Sequence, residues 1–165
     1  MRAAPEQKKL PFYRMRFASL VLMFLLVCCG CGRKADNGVV EPLNTRLVSL
    51  PDGTEIRAEV LINPAEMARG MMYRDPLPQG RGLLFVHQRP DYYRYWMSNV
   101  KAPLDIIFMD AGRQIVEISA DTPPCTTKPA DCLLYGGHHL AQYVLELRAG
   151  EASRLGLHTG QKLSF

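Results

Sequence analysis

Leu104-Asp105-Ile106-Ile107-Phe108-Met109, Asp110-Ala111-Gly112-Arg113 and Gln114-Ile115-Val116-Glu117-Ile118 follow one another without interruption. Two runs rich in β-branched and aromatic residues flank four residues of turn chemistry, which reads as a β-hairpin. The same grammar recurs upstream. Arg46 to Leu50 and Ile56 to Ile62 flank Pro51-Asp52-Gly53-Thr54, a turn with its glycine where positive φ is needed. Between the two hairpins, Asn63-Pro64-Ala65-Glu66 starts a short helix, with Asn as N-cap, Pro at the first position and Glu in the first turn. That helix stops near Gly70. Leu83 to Val86 reads as a buried strand and Tyr92 to Ser98 as an aromatic one. Downstream of the hairpin come a long loop from Asp121 to Leu140, a strand from Gln142 to Leu147, a helical turn or two from Glu151 to Leu155 and a closing strand from Lys162 to Phe165. Alternation makes Glu146 an outward residue of its strand. The class is therefore α+β, mostly β: a small curled sheet or barrel of seven to eight short strands with two short helices.

The first thirty residues have a different character. Five basic side chains (Arg2, Lys8, Lys9, Arg14, Arg16) stand against one acid, Glu6, and an apolar run from Phe17 to Val27 leads into Cys28-Cys29-Gly30-Cys31. The run is short for a bilayer span but suits a signal peptide. Cys31, preceded by the small Gly30, is the expected lipidation site. Residues 1–30 read as a lipoprotein signal peptide whose true start is Met15 if the first fourteen residues are an over-extension. Residues 31–43 read as a flexible tether and 44–165 as a single β-rich domain. Removing residues 1–30 takes Lys+Arg from 20 to 15 and Asp+Glu from 16 to 15. Residues 31–165 thus carry no net charge, which argues against nucleic acid as a partner. The expected location is the bacterial cell envelope, lipid-anchored and facing the periplasm or exterior. In that oxidising setting Cys125 and Cys132, the two cysteines that follow Cys31, are expected to form a disulfide.

Signatures of common enzymes are missing: there is no nucleophile elbow, phosphate-binding loop or His-Glu-x-x-His motif, and no cofactor is called for. Two clusters stand out instead. Arg69-Gly70-Met71-Met72-Tyr73-Arg74 leaves the helix. Tyr95-Trp96-Met97-Ser98-Asn99, with the single tryptophan, runs on to Ala102-Pro103-Leu104-Asp105. With Gly82 to Phe85 and Tyr143 to Leu147, these segments in this order resemble the family called domain of unknown function 192. The resemblance covers nearly all of residues 45–165. It departs at Met71, Ser98 and Val100, where the family pattern has Leu, Lys and Thr, and in the insertion that holds Cys125 and Cys132. It implies a compact β-rich fold and frequent export, and it supplies no activity.

Three functional readings follow from the residues. In the first, Arg74, Trp96, Asn99 and Asp105 line a polar and aromatic cleft of a non-enzymatic module that binds a small ligand or envelope component. Asp105 shares a face with Ile107 and Met109, so it is expected to be buried. It would then sit beside a cation, Arg74 before Lys101, or accept backbone N–H bonds. In the second reading, Asp105 serves an enzyme as acid or base. In the third, Met71, Met72, His87, Met97 and Met109 supply thioether and imidazole ligands to copper outside the cytoplasm. Each site residue also has a plainer structural role open to it: core packing for the tryptophan and methionines, a turn cap for Asn99, an ion pair for Asp105.

Overall fold

The computed structural model describes residues 44–165; the expected signal peptide, Cys31 and the tether lie outside the described residues. Six strands form the main sheet. They are β1 (Thr45–Ser49), β2 (Glu55–Leu61), β3 (Arg81–Asp91), β5 (Leu104–Met109), β6 (Ile115–Thr122) and β8 (Ala141–Arg148), in the order β1-β2-β3-β8-β5-β6. All neighbours are antiparallel except β2 and β3. That parallel pair needs a crossover, and the helix α1 (Pro64–Arg69) lies within it. A second sheet pairs β4 (Arg94–Trp96) with β7 (Leu134–Gly136). A single turn of helix, α2 (Glu151–Arg154), follows β8. The fold is mostly β, as the residue pattern predicts.

The main sheet is curled, and the C-terminal residues reach both of its ends. Ser49 and Ser164 exchange backbone hydrogen bonds of 2.8 and 3.0 Å, while Ile115 donates to the Gln161 carbonyl at 2.8 Å. The expected closing strand therefore exists as isolated bridges, not as a ladder. Two other segments also differ from the reading of the sequence. The aromatic strand is cut to Arg94–Trp96, because β3 runs on through Asp91. The long loop also holds β7 and a 3-10 turn at Pro129–Asp131. Its cysteines, Cys125 and Cys132, form the expected disulfide.

Both faces of the sheet are covered. Side chains alternate across a strand, so the register sorts them. One lateral row runs Glu59, Leu83, Glu146, Ile106; two residues further along lie Leu61, Phe85, Val144, Phe108. The intervening row, Val60, Leu84, Leu145, Ile107, points the other way into the curl, where Val48, Ile56, Met109, Ile115, Leu157 and Leu163 complete a core. The first face is covered by the β4–β7 layer and by the segment after α1, through Met71, Met97 and Val100. Gly136 lets β7 sit flat on this face: a Cβ there would lie 2.2 Å from the Phe108 ring. Tyr95 meets Phe85 and Phe108 edge-on at 5.0 and 5.7 Å.

Candidate functional site

The end of α1 shapes the site. Asn63 caps the helix by accepting from the Ala65 N–H at 2.9 Å, and Gly70 ends it with φ of 44°. Without a side chain, Gly70 lies against Phe85; a Cβ would come within 3.2 Å of the ring. The chain then turns sharply through Tyr73, at φ 63°, whose N–H donates to the Asn99 carbonyl at 2.9 Å. The two motif segments, 69–74 and 95–99, are thus tied together by their backbones. Cys125 N–H donates to the Met97 carbonyl, which fastens the disulfide loop to the same place.

Between these segments and the sheet lies a cavity of about 240 Å³. Met67, Met71, Met72, Phe85 and Val100 supply apolar wall, Tyr93, Tyr95 and Trp96 supply aromatic wall, and His87, Arg69 and Arg94 add polar groups. Trp96 stands at the rim, 41% exposed. Glu146 also lines the cavity. Its residue is 5% exposed, and its Oε2 has no hydrogen-bond partner. Burial pushes the Glu146 carboxyl up to about 8, with Arg74 pulling weakly the other way. An ionised carboxylate without donors is too costly in such surroundings, so the group keeps its proton at neutral pH. His87 is shifted in the opposite direction: burial lowers its imidazole to about 4, and Asp91 offsets this only in part. The ring is neutral, stacked on Tyr93 with centroids 3.4 Å apart, and its Nε2 is 3.0 Å from the Tyr95 hydroxyl. Burial raises that hydroxyl well above its ordinary value, and Glu146 adds to the effect.

Of the residues singled out in the sequence, only Trp96 among the four expected binding residues lines the cavity. Arg74 is close by, but it forks onto Glu59 at 2.6 and 3.1 Å. Asn99 takes a left-handed turn conformation, φ 56°, with its side chain 3.4 Å from Ser98 Oγ. Asp105 is buried, 1% exposed, but on the opposite face of the sheet. Its expected cations are engaged elsewhere, Arg74 with Glu59 and Lys101 with Asp75. Instead Asp105 accepts backbone N–H bonds from Asp121 at 2.8 Å and Ala152 at 2.7 Å. Of the sulfur and imidazole set, Met71, Met72 and His87 line the cavity together with Met67. Met97 packs in the core of that face, and Met109 in the core of the curl. Among the described residues, no group of three or more His, Cys, Asp or Glu is placed to hold a metal.

Glu146 is the residue that reading by alternation misplaces. The rule assumes a solvated face, and β8 has none. A signal was present: Leu104 to Met109 is almost wholly apolar, the mark of a strand covered on both sides. Glu146 pairs with Ile106 of that strand and so shares its covered face.

The model of the family called domain of unknown function 192 (DUF192), described as "Uncharacterized ACR", matches residues 47–165. The chain is a DUF192 protein. A solved structure from Novosphingobium aromaticivorans, of a protein of unknown function, shares 31% identity with it at a TM-score of 0.67. The match covers 76% of this chain and 91% of that one. A second, from Sinorhizobium meliloti and described as a putative transcription regulator, shares 25% identity at a TM-score of 0.64, covering 75% and 97%. No curated protein matches. The cavity of this DUF192 domain is built by the same segments that carry the family pattern: 70–74 and 95–99 above, Phe85 and Glu146 below.

Proposed function

We propose that this DUF192 domain is a non-enzymatic binding module for a small ligand, held at the bacterial envelope by a lipid on Cys31, with the cavity beneath Trp96 as its site. The observation that carries the reading is Glu146: a carboxyl group with an unpartnered oxygen, buried where it touches a cavity with one aromatic rim. Buried polar atoms nearly always have a hydrogen-bond partner, from the protein or from ordered water. A carboxyl that lines a cavity of ligand size, with one oxygen sealed away from any donor among the described residues, favours a partner from outside. Binding is preferred to acid–base catalysis because the second titratable group, His87, has its Nε2 committed to Tyr95. Asp105 has both oxygens committed to backbone on the far face. Net neutrality of residues 31–165 gives no support to nucleic-acid binding.

Trp96 is the sole tryptophan, so its fluorescence reports on the cavity without interference. Titration with a library of small neutral amides, alcohols and phenols should find compounds that shift its emission. The same compounds should move the methyl resonances of Met67, Met71 and Met72. Compounds that bind without touching these signals would overturn the assignment. A second reading is Cu(I) binding, favoured by three thioethers and one neutral imidazole on one cavity. It expects stoichiometric Cu(I) uptake that is lost in Met71→Leu and Met72→Leu together.

A further inference from the structure

Building on the reading of this cavity as a small-ligand site, we propose that its ligand is a zwitterion of amino-acid size, whose ammonium group meets Glu146 and whose anionic group meets Arg69 and Arg94. Three features of the cavity converge on this chemistry. The first is the open valence of Glu146. Its Oε2 is sealed inside the fold without a partner, while the residue lines the cavity; an ammonium on that cavity side brings several donors together with the charge that would let the carboxyl ionise. The second is the wall. Phe85, Tyr93, Tyr95 and Trp96 all line the same space, and an aromatic ring that turns its face to a desolvated cation attracts it. His87 does not oppose it, since burial keeps the ring neutral.

The third feature is positive charge at the edge of the cavity. Arg69 and Arg94 line the cavity and are exposed. Among the described residues neither enters an ion pair. A simple cation would be repelled by them, and a simple anion would find Glu146 useless. A ligand carrying both charges a few bonds apart satisfies the deep carboxyl and the outer guanidiniums at once. The remaining volume, within about 240 Å³, is bordered by methionine side chains, which adapt to varied apolar shapes. That suits an amino-acid side chain of moderate size.

The groups that face Glu146 are Arg74 and its partner Glu59, Tyr95, and, around the cavity, His87, Tyr93, Arg69 and Arg94. Of these, Glu146 is the one whose charge changes just above neutrality, near 8. An ammonium ligand needs the ionised form, so its affinity should rise between about pH 6 and about pH 8. A neutral ligand that accepts a hydrogen bond from the protonated Glu146 carboxyl should weaken over the same range.

The test uses the folded domain and Trp96 fluorescence, with the twenty free L-α-amino acids titrated singly, then the N-acetyl derivative and methyl ester of any that bind. The expected result is that one or more free amino acids bind, and that N-acetylation weakens binding roughly ten- to hundredfold. The ester should lose less, because the arginines are exposed to solvent. Glu146→Gln, which keeps the shape and a donor but cannot ionise, should lose the amino acids while still binding the neutral library compounds. Equal binding of the N-acetyl forms, or full binding by Glu146→Gln, would overturn the ammonium assignment. If neutral compounds bind at Trp96 and no amino acid does, the zwitterion inference fails and the cavity reading stands. If neither class binds, both fall.

Discussion

A carboxyl group raised to about 8 by burial, as Glu146 is, holds its proton in the folded chain across a range where the unfolded chain has released it. An ordinary glutamate titrates near 4.3. Between that value and about 8 the folded state binds more protons, so stability falls as pH rises, at about 1.4 kcal/mol per unit from this group. The contribution is full below the unfolded value and is lost once pH passes the folded one. His87 acts in a different window. Its value is lowered to about 4, so its contribution is present above about 6.5 and lost as pH falls towards 4. From about pH 6.5 to 8 only Glu146, of these two, has a slope. Urea unfolding of the wild-type domain should therefore show a loss of about 2 kcal/mol over that interval. Glu146→Gln should remove most of the slope and be the more stable protein at pH 8. Parallel curves would mean that the carboxyl is ionised or solvated in the native state.

At the scale of elements, Asp105 works as a tie. One oxygen holds the N–H of Asp121 near the end of β6, where the backbone turns left-handed at φ 48°. The other holds the N–H of Ala152 in the single turn of α2. The helix α2 is not long enough to fix its own position, since one helical turn has little stability alone. A buried carboxylate accepting two backbone bonds is a strong fastening for its size. Asp105→Asn keeps one acceptor and turns an amide donor towards the other N–H. It should cost about 2–4 kcal/mol of stability, measured by urea or heat. Because Asp105 lies across the sheet from the cavity, the folded variant should bind cavity ligands normally. A variant of unchanged stability that had lost such ligands would restore Asp105 to the site.

For the whole molecule, lipidation at Cys31 is the first expectation to check. Cys31→Ser should leave an unprocessed precursor without fatty-acid labelling, whereas normal labelling would move the site to Cys29 or Cys28. The sequence alone determined what depends on neighbours along the chain. Turn chemistry at Pro51–Thr54 and Asp110–Arg113 announced both hairpins; Asn63-Pro64 and Gly70 bounded α1; the ordered motif segments gave the family. Each signal is local, because caps and turns are set by a few residues' own φ and hydrogen-bonding needs. Tertiary structure alone decided which face each strand shows to what. Asp105 and Trp96 belong to neighbouring motif segments, yet the sheet separates them, since successive residues of a strand point to opposite sides. Arg74 could reach either a strand's Asp or another strand's Glu, and the placement of β2 chose Glu59. Glu146 looked outward until the β4–β7 layer and the segment after α1 were laid over it. No pattern within β8 encodes that cover, because it is supplied by other segments of the chain. The protonation of Glu146 and the cavity beside it exist only once that layer is in place.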